Sequence, residues 1–337
     1  MSFRATIQPS GHNFPIEEHE TILEAAIKHG YILPYNCRDG VCGVCKGKIA
    51  EGRVDYGKYL ASTLTDVEKA AGMALFCCAK PQSDLVIECR EVNAVSDIPV
   101  RTMPCRVQKM DKLAEDVMVL QLRLPTNERL QFLAGQYISI LLKDQKPRSF
   151  SLANAPHNDE FLELHVRLIT GGAFTGHVFN EMKERDILRI RGPLGTFFLR
   201  EDSDKPVIFV ASGTGFAPIK AIIEHALHID LKRTMHFYWG VHKLADFYML
   251  EKAKQWESSG VKFTPVLSEP LPSDNWQGRI GLVHQAVLDD FRDLSEYEVY
   301  ACGAPVMVEA ARRDYTVQRG LPEDAFFSDM FTFTPKE

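Results

Sequence analysis

The chain has 337 residues and a mass of 38.1 kDa, more than one ordinary hydrophobic core organises, so two or three domains are expected. Hydrophobic residues make up 45% and charged residues 25%, which excludes a disordered chain. A net charge of −6 and an isoelectric point near 6.0 argue against nucleic-acid binding. The sequence shows neither a run of about 18 apolar residues nor a secretory signal at its start, so we expect a cytoplasmic protein without a membrane span.

The first ninety residues have the pattern of a small sheet that clasps one helix. Thr21-x-x-Glu24 is a capping box that begins an amphipathic helix, and a second, shorter helix is predicted near 65–71. Strands are predicted near residues 3–8, 14–16, 46–50 and 84–89. This length is enough for a complete small domain.

Three of the eight cysteines fall within nine residues, in the segment NCRDGVCGVCKG. Cys37, Cys42 and Cys45 have the spacing C-x4-C-x2-C, and Cys77 or Cys78 follows about thirty residues later in LFCCAKP. This is the spacing of a plant-type [2Fe–2S] site. Soft, anionic thiolates suit iron, and the glycines allow the loop to direct backbone N–H groups at sulfur.

Zinc ligands or unliganded thiols are the alternative interpretation of these cysteines. Zinc is usually held by paired C-x2-C segments, and only Cys42 and Cys45 form one. Cys89 and Cys105 are isolated, and we expect them to be buried as small hydrophobic residues. The pattern therefore favours the iron–sulfur cluster.

Residues 92–103 have no helical or strand period and are predicted to be a linker. Up to about residue 200, six strand-like segments then recur: CRVQKM, DVMVLQLRL, GQYISILL, RSFSLAN, LELHVRLI and ILRIRG. Strands at this spacing predict a closed antiparallel barrel, with one short helix near 174–183.

After Lys205-Pro206 the pattern changes to alternating strands and helices. The apolar strand VIFVAS at 207–212 is followed by the turn GTGFAP and an amphipathic helix. HFYWG, FTPVLS and EVYACG are predicted to be further strands. Apolar strands that alternate with helices predict a doubly wound parallel sheet.

The turn Gly213-Thr214-Gly215 lies between a strand and a helix, with Pro218 in the first helical turn. Its glycines let the backbone approach a pyrophosphate, and the helix N-terminus contributes partial positive charge. Pro218 replaces the third glycine of the Rossmann fingerprint, and no acidic residue ends the next strand. A tight strand–helix connection without a ligand is the alternative.

Arg148, Phe150 and Ser151 lie together on a barrel strand, where they can neutralise a flavin pyrophosphate, pack on the flavin and reach the ring edge. An exposed strand end would also carry such residues. Gly172 and Thr175 precede the barrel helix and form a second candidate phosphate turn.

Cys302 and Gly303 lie at the carboxyl end of the last predicted strand, EVYACG. Ligands of open α/β sheets bind at that edge. A free cysteine is often inert, but this position favours a functional one.

Together these motifs resemble the ferredoxin-reductase superfamily, in the branch with an N-terminal plant-type ferredoxin domain. That branch includes reductase components of bacterial ring-hydroxylating and multicomponent monooxygenases, and the CDP-6-deoxy-Δ-3,4-glucoseen reductases, which the chain resembles most. The resemblance implies a multidomain protein of α+β and α/β class. Its expected parts are a β-grasp ferredoxin domain at 1–92, an antiparallel β-barrel domain that binds FAD at 102–201, and a doubly wound α/β domain that binds NAD(P)H at 204–331.

The resemblance also implies roles for single residues. The cluster ligands would be Cys37, Cys42, Cys45 and Cys77, with Cys78 in the place of the glutamine of L-x-C-Q-A. The flavin motif R-x-Y-S is matched by Arg148, Phe150 and Ser151, and the phosphate turn G-G-x-x-S/T by Gly172 and Thr175. The nicotinamide loop is matched by Gly213, Thr214, Gly215 and Pro218, and the motif C-G-P-P by Cys302 and Gly303. Ser151 near the reactive flavin edge and Cys302 near the nicotinamide are the predicted catalytic residues.

By this resemblance the chain is an electron-transfer reductase. NADH gives up two electrons as a hydride, whereas a [2Fe–2S] cluster passes one electron at a time, so a flavin that does both belongs between them. Relatives with the ferredoxin domain first generally carry FAD. His242 and Lys243 are candidates for a 2′-phosphate site, but such relatives usually prefer NADH, which we predict here.

The predicted partner is an electron-acceptor protein, either a pyridoxamine-phosphate deoxysugar dehydrase or an oxygenase component. Two other classes remain open from the sequence. One is a stand-alone NADH diaphorase or flavin reductase, in which the cysteine loop only stabilises the fold. The other is a redox sensor whose clustered thiols respond to oxidants.

Overall fold

A computed structural model describes residues 2–92, 98–142 and 147–331. They form two compact units, one up to Pro99 and the other from Val100 to Phe331. None of the helices in these ranges has the length and hydrophobicity needed to cross a lipid bilayer.

The first unit contains a five-stranded sheet and two helices. The sheet order is β2-β1-β7-β3-β5, with β1 parallel to β7 and the other pairs antiparallel. The strands are β1 Ser2–Gln8, β2 Asn13–Glu17, β3 Lys46–Glu51, β5 Met73–Leu75 and β7 Leu85–Glu88; β4 Val54–Asp55 pairs separately with β6 Lys80–Pro81. The helices are α1 Ile22–Lys28 and α2 Asp66–Ala70.

Helix α1 begins as the capping box predicts. The Thr21 hydroxyl accepts the Glu24 N–H at 3.2 Å, and the Glu24 carboxylate accepts the Thr21 N–H at 3.0 Å, which satisfies two otherwise unpaired donors. The buried residues of α1 belong to the same core as the sheet: Ile22, Leu23, Ala25 and Ala26. A sheet that clasps one helix confirms the predicted β-grasp fold.

The second unit begins with six antiparallel strands in the order β11-β10-β13-β8-β9-β12. These strands are β8 Arg101–Ala114, β9 Val117–Arg123, β10 Tyr137–Ile140, β11 Arg148–Ser151, β12 Leu162–Arg167 and β13 Ile187–Leu194. A single bridge between Leu152 and Leu164 joins the two ends of the sheet, so the barrel is nearly rather than fully closed. The predicted helix is present as α3 Ala173–Asn180.

The predicted linker is shorter than expected. Of residues 92–103, residues 93–97 lie outside the described ranges, and strand β8 already begins at Arg101. Starting at Met103, alternate side chains of β8 belong to the barrel core. Pro99, the proline of the predicted linker, lies before the strand begins.

The rest of the second unit is a six-stranded parallel sheet in the order β17-β16-β15-β14-β18-β19. Its strands are β14 Val207–Ser212, β15 Met235–Val241, β16 Val261–Leu267, β17 Arg279–Ile280, β18 Glu298–Gly303 and β19 Phe326–Met330; the helices are α4 Phe216–His228, α5 Leu250–Gln255, α6 Val283–Asp290 and α7 Pro305–Arg319. The strand order reverses at β14, because β15 lies on one side and β18 on the other. Such a reversal is where open α/β sheets bind ligands, beyond the carboxyl ends of the strands.

A buried arginine joins the end of the barrel segment to this parallel sheet. The Arg233 guanidinium pairs with Glu298 at 2.7 Å and donates to the carbonyl oxygen of Arg200 at 2.8 Å and to that of Lys205. The Tyr300 hydroxyl donates to the same Glu298 carboxylate at 3.1 Å. The carboxylate is therefore buried but fully partnered.

Replacing Arg233 with methionine tests this junction. The Arg233→Met variant leaves the Glu298 charge buried and unpaired, so we expect the free energy of unfolding to fall by about 3–5 kcal/mol in urea denaturation. Lys232→Met is the matched control, because Lys232 pairs with Asp230 at an exposed position, where ion pairs contribute little. Equal losses in the two variants would contradict the assigned role of Arg233.

Candidate functional site

The cysteine loop between α1 and β3 supplies three thiols, and Cys77, between β5 and β6, supplies a fourth, so that the four form two pairs. The thiols of Cys37 and Cys42 hydrogen-bond to each other, and so do those of Cys45 and Cys77. The backbone N–H of Cys42 also points at the Cys37 sulfur, at 3.3 Å. The hydrogen bond from Cys42 lowers the pKa of Cys37 to about 7, and the hydrogen bond from Cys45 lowers the pKa of Cys77; the same contacts, together with burial, raise the pKa of Cys42 and of Cys45, which favours protons on these two thiols. Iron binding would displace these protons.

Two pairs of thiols suit a binuclear centre better than a single ion. A [2Fe–2S] cluster takes four cysteine ligands, shared between two irons. The pairing of Cys37 with Cys42 and of Cys45 with Cys77 fits such a sharing of four ligands between two irons.

The position of Cys77 differs from that of Cys78. Cys77 contacts the Cys45 thiol and accepts a hydrogen bond from the Gly40 backbone N–H, whereas the Cys78 sulfur lies 3.6 Å from the Cys77 sulfur. A Cβ on Gly40 would come within 2.7 Å of the Cys78 sulfur, and Gly40 has φ of +70°, so the loop needs glycine there. These contacts favour Cys77 as the fourth ligand.

In the second unit, the predicted flavin motif forms strand β11 at the edge of the barrel sheet. Arg148 lies opposite Ile140 and Ser151 opposite Tyr137 in the pairing with β10. The Phe150 ring packs on Phe174 with ring centroids 5.4 Å apart. Because Phe174 lies in the first turn of α3, the flavin motif and the second phosphate turn are brought together.

The second phosphate turn is closed by its own threonine. The Thr175 hydroxyl accepts the Ile169 N–H at 3.1 Å, and Gly172 is the N-cap of α3. A Cβ on Gly172 would lie 2.5 Å from the Thr175 hydroxyl oxygen, so only glycine fits beside that side chain. The first backbone N–H groups of α3 are thus held in a fixed array.

The two predicted catalytic residues meet through a third residue that the sequence analysis missed. The Ser151 hydroxyl donates to the Asp329 carboxylate at 2.8 Å, and Asp329 lies opposite Cys302 in the pairing of β18 with β19. All three side chains are buried. Burial and then the neighbouring Asp329 carboxylate raise the pKa of Cys302, so this thiol stays protonated. The sequence signal for Asp329 is a charged residue near the end of the apolar segment FFSDM.

The predicted nicotinamide turn lies at the reversal of strand order. Gly213–Gly215 form one 3₁₀ turn, and α4 follows at once with Pro218 in its first turn. The Trp239 indole donates to the Gly213 carbonyl oxygen at 2.9 Å. Thr214 is buried within this turn.

Gly303 allows the ends of β14 and β18 to approach closely. Its φ is +134°, and a Cβ there would lie 2.2 Å from the Ser212 hydroxyl oxygen. That hydroxyl accepts the Ala304 N–H at 3.0 Å. The turn after β14 and the end of β18 thus form one continuous surface beside Cys302.

A second residue missed by the sequence analysis is Arg167, at the end of β12. Its guanidinium lies beside Gly213, since a Cβ added to that glycine would come within 2.8 Å of it. The guanidinium also pairs with Asp116 at 2.6 Å. The signal was an arginine at the end of the barrel strand LELHVRLI, just before a glycine pair.

Three family profiles match the chain in succession. Residues 5–82 match the 2Fe-2S iron-sulfur cluster binding domain, residues 104–199 the oxidoreductase FAD-binding domain, and residues 209–313 the oxidoreductase NAD-binding domain. The chain belongs to the iron–sulfur flavoprotein reductases. The predicted family, fold class and NAD(P)H-dependent oxidoreductase activity are confirmed, and a non-enzymatic redox sensor is excluded.

Related proteins cover almost the whole chain. The CDP-6-deoxy-L-threo-D-glycero-4-hexulose-3-dehydrase reductase of Yersinia pestis is 41% identical over 333 residues, 98% of this chain and 99% of that protein. The phenol hydroxylase P5 protein of Acinetobacter pittii is 35% identical, with 92% and 89% covered. Reductase component 1 of the terephthalate 1,2-dioxygenase of Comamonas is 31% identical, with 99% of each chain covered. Both predicted classes of reductase are therefore represented among the relatives.

Solved structures agree with this assignment. The Amycolatopsis cytochrome P450 reductase GcoB is similar over 98% of each chain, with a TM-score of 0.77 and 32% identity. The ferredoxin reductase of a carbazole 1,9a-dioxygenase is similar over 98% of this chain and 99% of that one, with a TM-score of 0.71 and 26% identity.

Serine variants of the two adjacent cysteines test the fourth cluster ligand. We expect Cys77→Ser to lose most of the bound iron and the visible iron–sulfur absorption, because serine supplies no soft thiolate beside Cys45. Cys78→Ser is the matched control and should keep both. The measurements are the iron content per chain and the visible spectrum of the purified proteins. The reverse result would assign the fourth ligand to Cys78.

Proposed function

We propose that this reductase takes hydride from NADH and delivers single electrons to a pyridoxamine-phosphate deoxysugar dehydrase. The observation that supports this acceptor is the 41% identity, over nearly the full length of both chains, to a reductase named for a CDP-6-deoxy-hexulose dehydrase. The relatives named for oxygenases are less similar, at 35% and 31%. An oxygenase component is therefore the second candidate acceptor.

We assign the [2Fe–2S] cluster to residues 1–92, FAD to residues 102–201 and the nicotinamide to residues 204–331. Bound FAD supplies the one property that this reaction needs, since it accepts two electrons together and releases them singly. Cys37, Cys42, Cys45 and Cys77 would hold the cluster, with backbone N–H groups directed at sulfur as the Cys42 N–H is. We place the reaction in the cytoplasm, because none of the eight cysteines, all of them described, forms a disulfide, as is usual in a reducing compartment.

The flavin would be held along β11 and at the start of α3. Arg148 provides a guanidinium for the pyrophosphate, and Gly172 with Thr175 presents the N–H groups of α3 to phosphate oxygens. Phe150, half-buried against Phe174, offers an aromatic face to the flavin. Ser151 then lies at the reactive edge of the ring, with its hydroxyl oriented by Asp329.

The nicotinamide dinucleotide would bind across the reversal of strand order. The turn Gly213–Gly215 and the start of α4, including Pro218, would face its pyrophosphate, and Arg167 adds a positive charge beside that turn. Cys302 and Gly303 would face the nicotinamide ring. A protonated, buried thiol there excludes water without introducing a second negative charge beside Asp329.

The preference for NADH is supported by charge beyond the ends of β15 and β16. His242, one of the two candidate 2′-phosphate residues beside Lys243, has an acidic neighbour. His242 lies 3.5 Å from the Glu269 carboxylate and hydrogen-bonds to the Ser268 hydroxyl at 3.1 Å. A carboxylate at this position repels a 2′-phosphate and accepts a hydrogen bond from a free ribose hydroxyl.

The role of Asp329 is tested by Asp329→Asn. Asparagine removes the negative charge and one of the two acceptor oxygens, which weakens the hydrogen bond that orients Ser151, so we expect flavin reduction by NADH to slow by about 10- to 100-fold while flavin content is retained. Stopped-flow absorbance of the flavin measures the rate. The matched control is Asp324→Asn, an exposed acid five residues earlier, which should react at the wild-type rate. Wild-type rates in both variants would remove Asp329 from the site.

The acceptor is tested by mixing the reductase with a CDP-6-deoxy-hexulose-3-dehydrase, its sugar nucleotide and NADH. We expect NADH oxidation that depends on both the dehydrase and the sugar nucleotide. Cys42→Ser should abolish it while direct reduction of a two-electron dye is kept, because only the one-electron path needs the cluster. The same assay with NADPH should be slower.

Three outcomes would contradict these proposals. NADH oxidation that responds to an oxygenase component but not to the dehydrase would favour the second acceptor. Undiminished dehydrase-dependent turnover in Cys42→Ser would contradict the order from flavin to cluster. Equal rates with NADPH would contradict the choice of NADH.

A further inference from the structure

Strand β12 of the barrel carries polar side chains on the face that points away from the barrel core. Alternate residues of the strand fill that core: Leu162, Leu164 and Val166. Glu163 and His165 lie between them and face elements of the parallel-sheet half instead. Both barrel and sheet belong to the second unit, so these contacts lie within one compact body.

The ammonium group of Lys220, on helix α4, has a complete set of partners there. Its Nζ donates to the Ala153 carbonyl oxygen at 2.9 Å and pairs with Glu224 at 3.0 Å and Glu163 at 3.2 Å. The side chain is only 8% exposed. Since an ammonium has three N–H donors, three acceptors fix its position and direction.

Glu163 is held as a carboxylate by its neighbours. Burial opposes ionisation, but the hydrogen bond from His165, at 3.0 Å, and the charge of Lys220 lower the pKa of Glu163 to about 2. Burial lowers the pKa of His165, so this ring is neutral and accepts the Tyr248 hydroxyl at 2.8 Å through Nδ1. Lys220 and Glu163 therefore form a buried ion pair, and each of the two has further hydrogen-bond partners: Ala153 and Glu224 for Lys220, and His165 for Glu163.

This ion pair connects the two segments that the proposed function assigns to flavin and nicotinamide. Ala153 follows Ser151 by two residues, and its N–H donates to the Glu163 carbonyl oxygen at 2.8 Å. Lys220 lies about one helical turn after the start of α4, which the turn Gly213–Gly215 precedes. Lys220 therefore joins the start of α4, next to the turn Gly213–Gly215, to the backbone just after Ser151.

A buried ion pair is rarely more stabilising than apolar residues of the same size, so its advantage here is fixed geometry rather than stability. We infer that Lys220 is a positioning residue: through Ala153 and Glu163 it fixes the nicotinamide turn relative to the flavin strand and thereby sets the approach for hydride transfer. This inference rests on the proposed roles of Ser151 and of the turn Gly213–Gly215.

The first test is Lys220→Met, which keeps most of the side-chain volume and removes the ammonium. Hydride transfer is sensitive to displacements of about 1 Å, so we expect flavin reduction at saturating NADH to slow by about 10- to 100-fold. The dissociation constant for NADH and the later transfer of electrons to the cluster should stay unchanged. Lys252→Met is the matched control, because Lys252 pairs with the same Glu224 at 2.9 Å from an exposed position.

A double variant separates positioning from stability. Lys220→Met alone leaves the Glu163 charge unpaired and should lower the Tm. In Lys220→Met/Glu163→Gln the unpaired charge is gone, so the Tm should recover while hydride transfer stays slow. Recovery of both Tm and hydride transfer would reduce Lys220 to a structural role and overturn the inference.

Two readouts do not depend on turnover. Backbone amide hydrogen exchange at residues 152–155 should become faster in both Lys220 variants, because the Ala153 carbonyl oxygen loses the hydrogen bond from the Lys220 ammonium that holds this segment in place. The long-wavelength charge-transfer absorption of NAD⁺ bound to the reduced protein should weaken in both. Unchanged exchange and unchanged absorption would contradict a positioning role.

The outcomes distinguish this inference from the proposed function. If NADH fails to reduce the flavin of the wild-type protein, the proposed function fails. If the wild-type flavin is reduced and Lys220→Met reacts as fast, only the inference about Lys220 fails.

Discussion

The site depends on the close approach of the carboxyl ends of β14 and β18. Gly303 makes this approach possible, since a side chain there would overlap Ser212. Beside these strand ends, the pairing of β18 with β19 places Cys302 opposite Asp329, and the Ser151 hydroxyl of the barrel donates to the Asp329 carboxylate at 2.8 Å. A hydroxyl, a carboxylate and a thiol are thereby buried together where two halves of the second unit join. The reaction surface that we propose for this reductase lies at that junction.

The two compact units meet different physical demands. In the first, the proposed cluster ligands need a site for soft anionic sulfur, and the fold pairs Cys37 with Cys42 and Cys45 with Cys77, with the Cys42 backbone N–H directed at the Cys37 sulfur. In the second, the problem is to hold two large nucleotides at a fixed mutual distance. There the helix starts and glycine turns offer N–H groups, and side chains from distant strands fix their relation.

Two buried ion pairs hold elements of the second unit together. Arg233 with Glu298 joins the segment after the barrel to β18, and Lys220 with Glu163 joins β12 to α4. Each ion has further hydrogen-bond partners, which avoids the large cost of an unpaired buried charge. An ion pair fixes the direction between its two groups, whereas an apolar contact lets two surfaces slide past each other. Fixed directions suit a protein in which hydride passes between one ligand at the barrel and another at the parallel sheet.

The sequence alone determined the family, the three cofactor-binding parts and their order, because cysteine spacing, strand periodicity and glycine turns are local patterns. Cys37, Cys42 and Cys45 lie within nine residues, and Gly213–Gly215 follow one strand directly. The tertiary structure alone revealed Asp329, Arg167 and Lys220. Asp329 contacts Ser151 across 178 residues and Lys220 contacts Ala153 across 67, so no local pattern marks either residue. The end of the predicted linker and the incomplete closure of the barrel were likewise decided by pairing between distant strands.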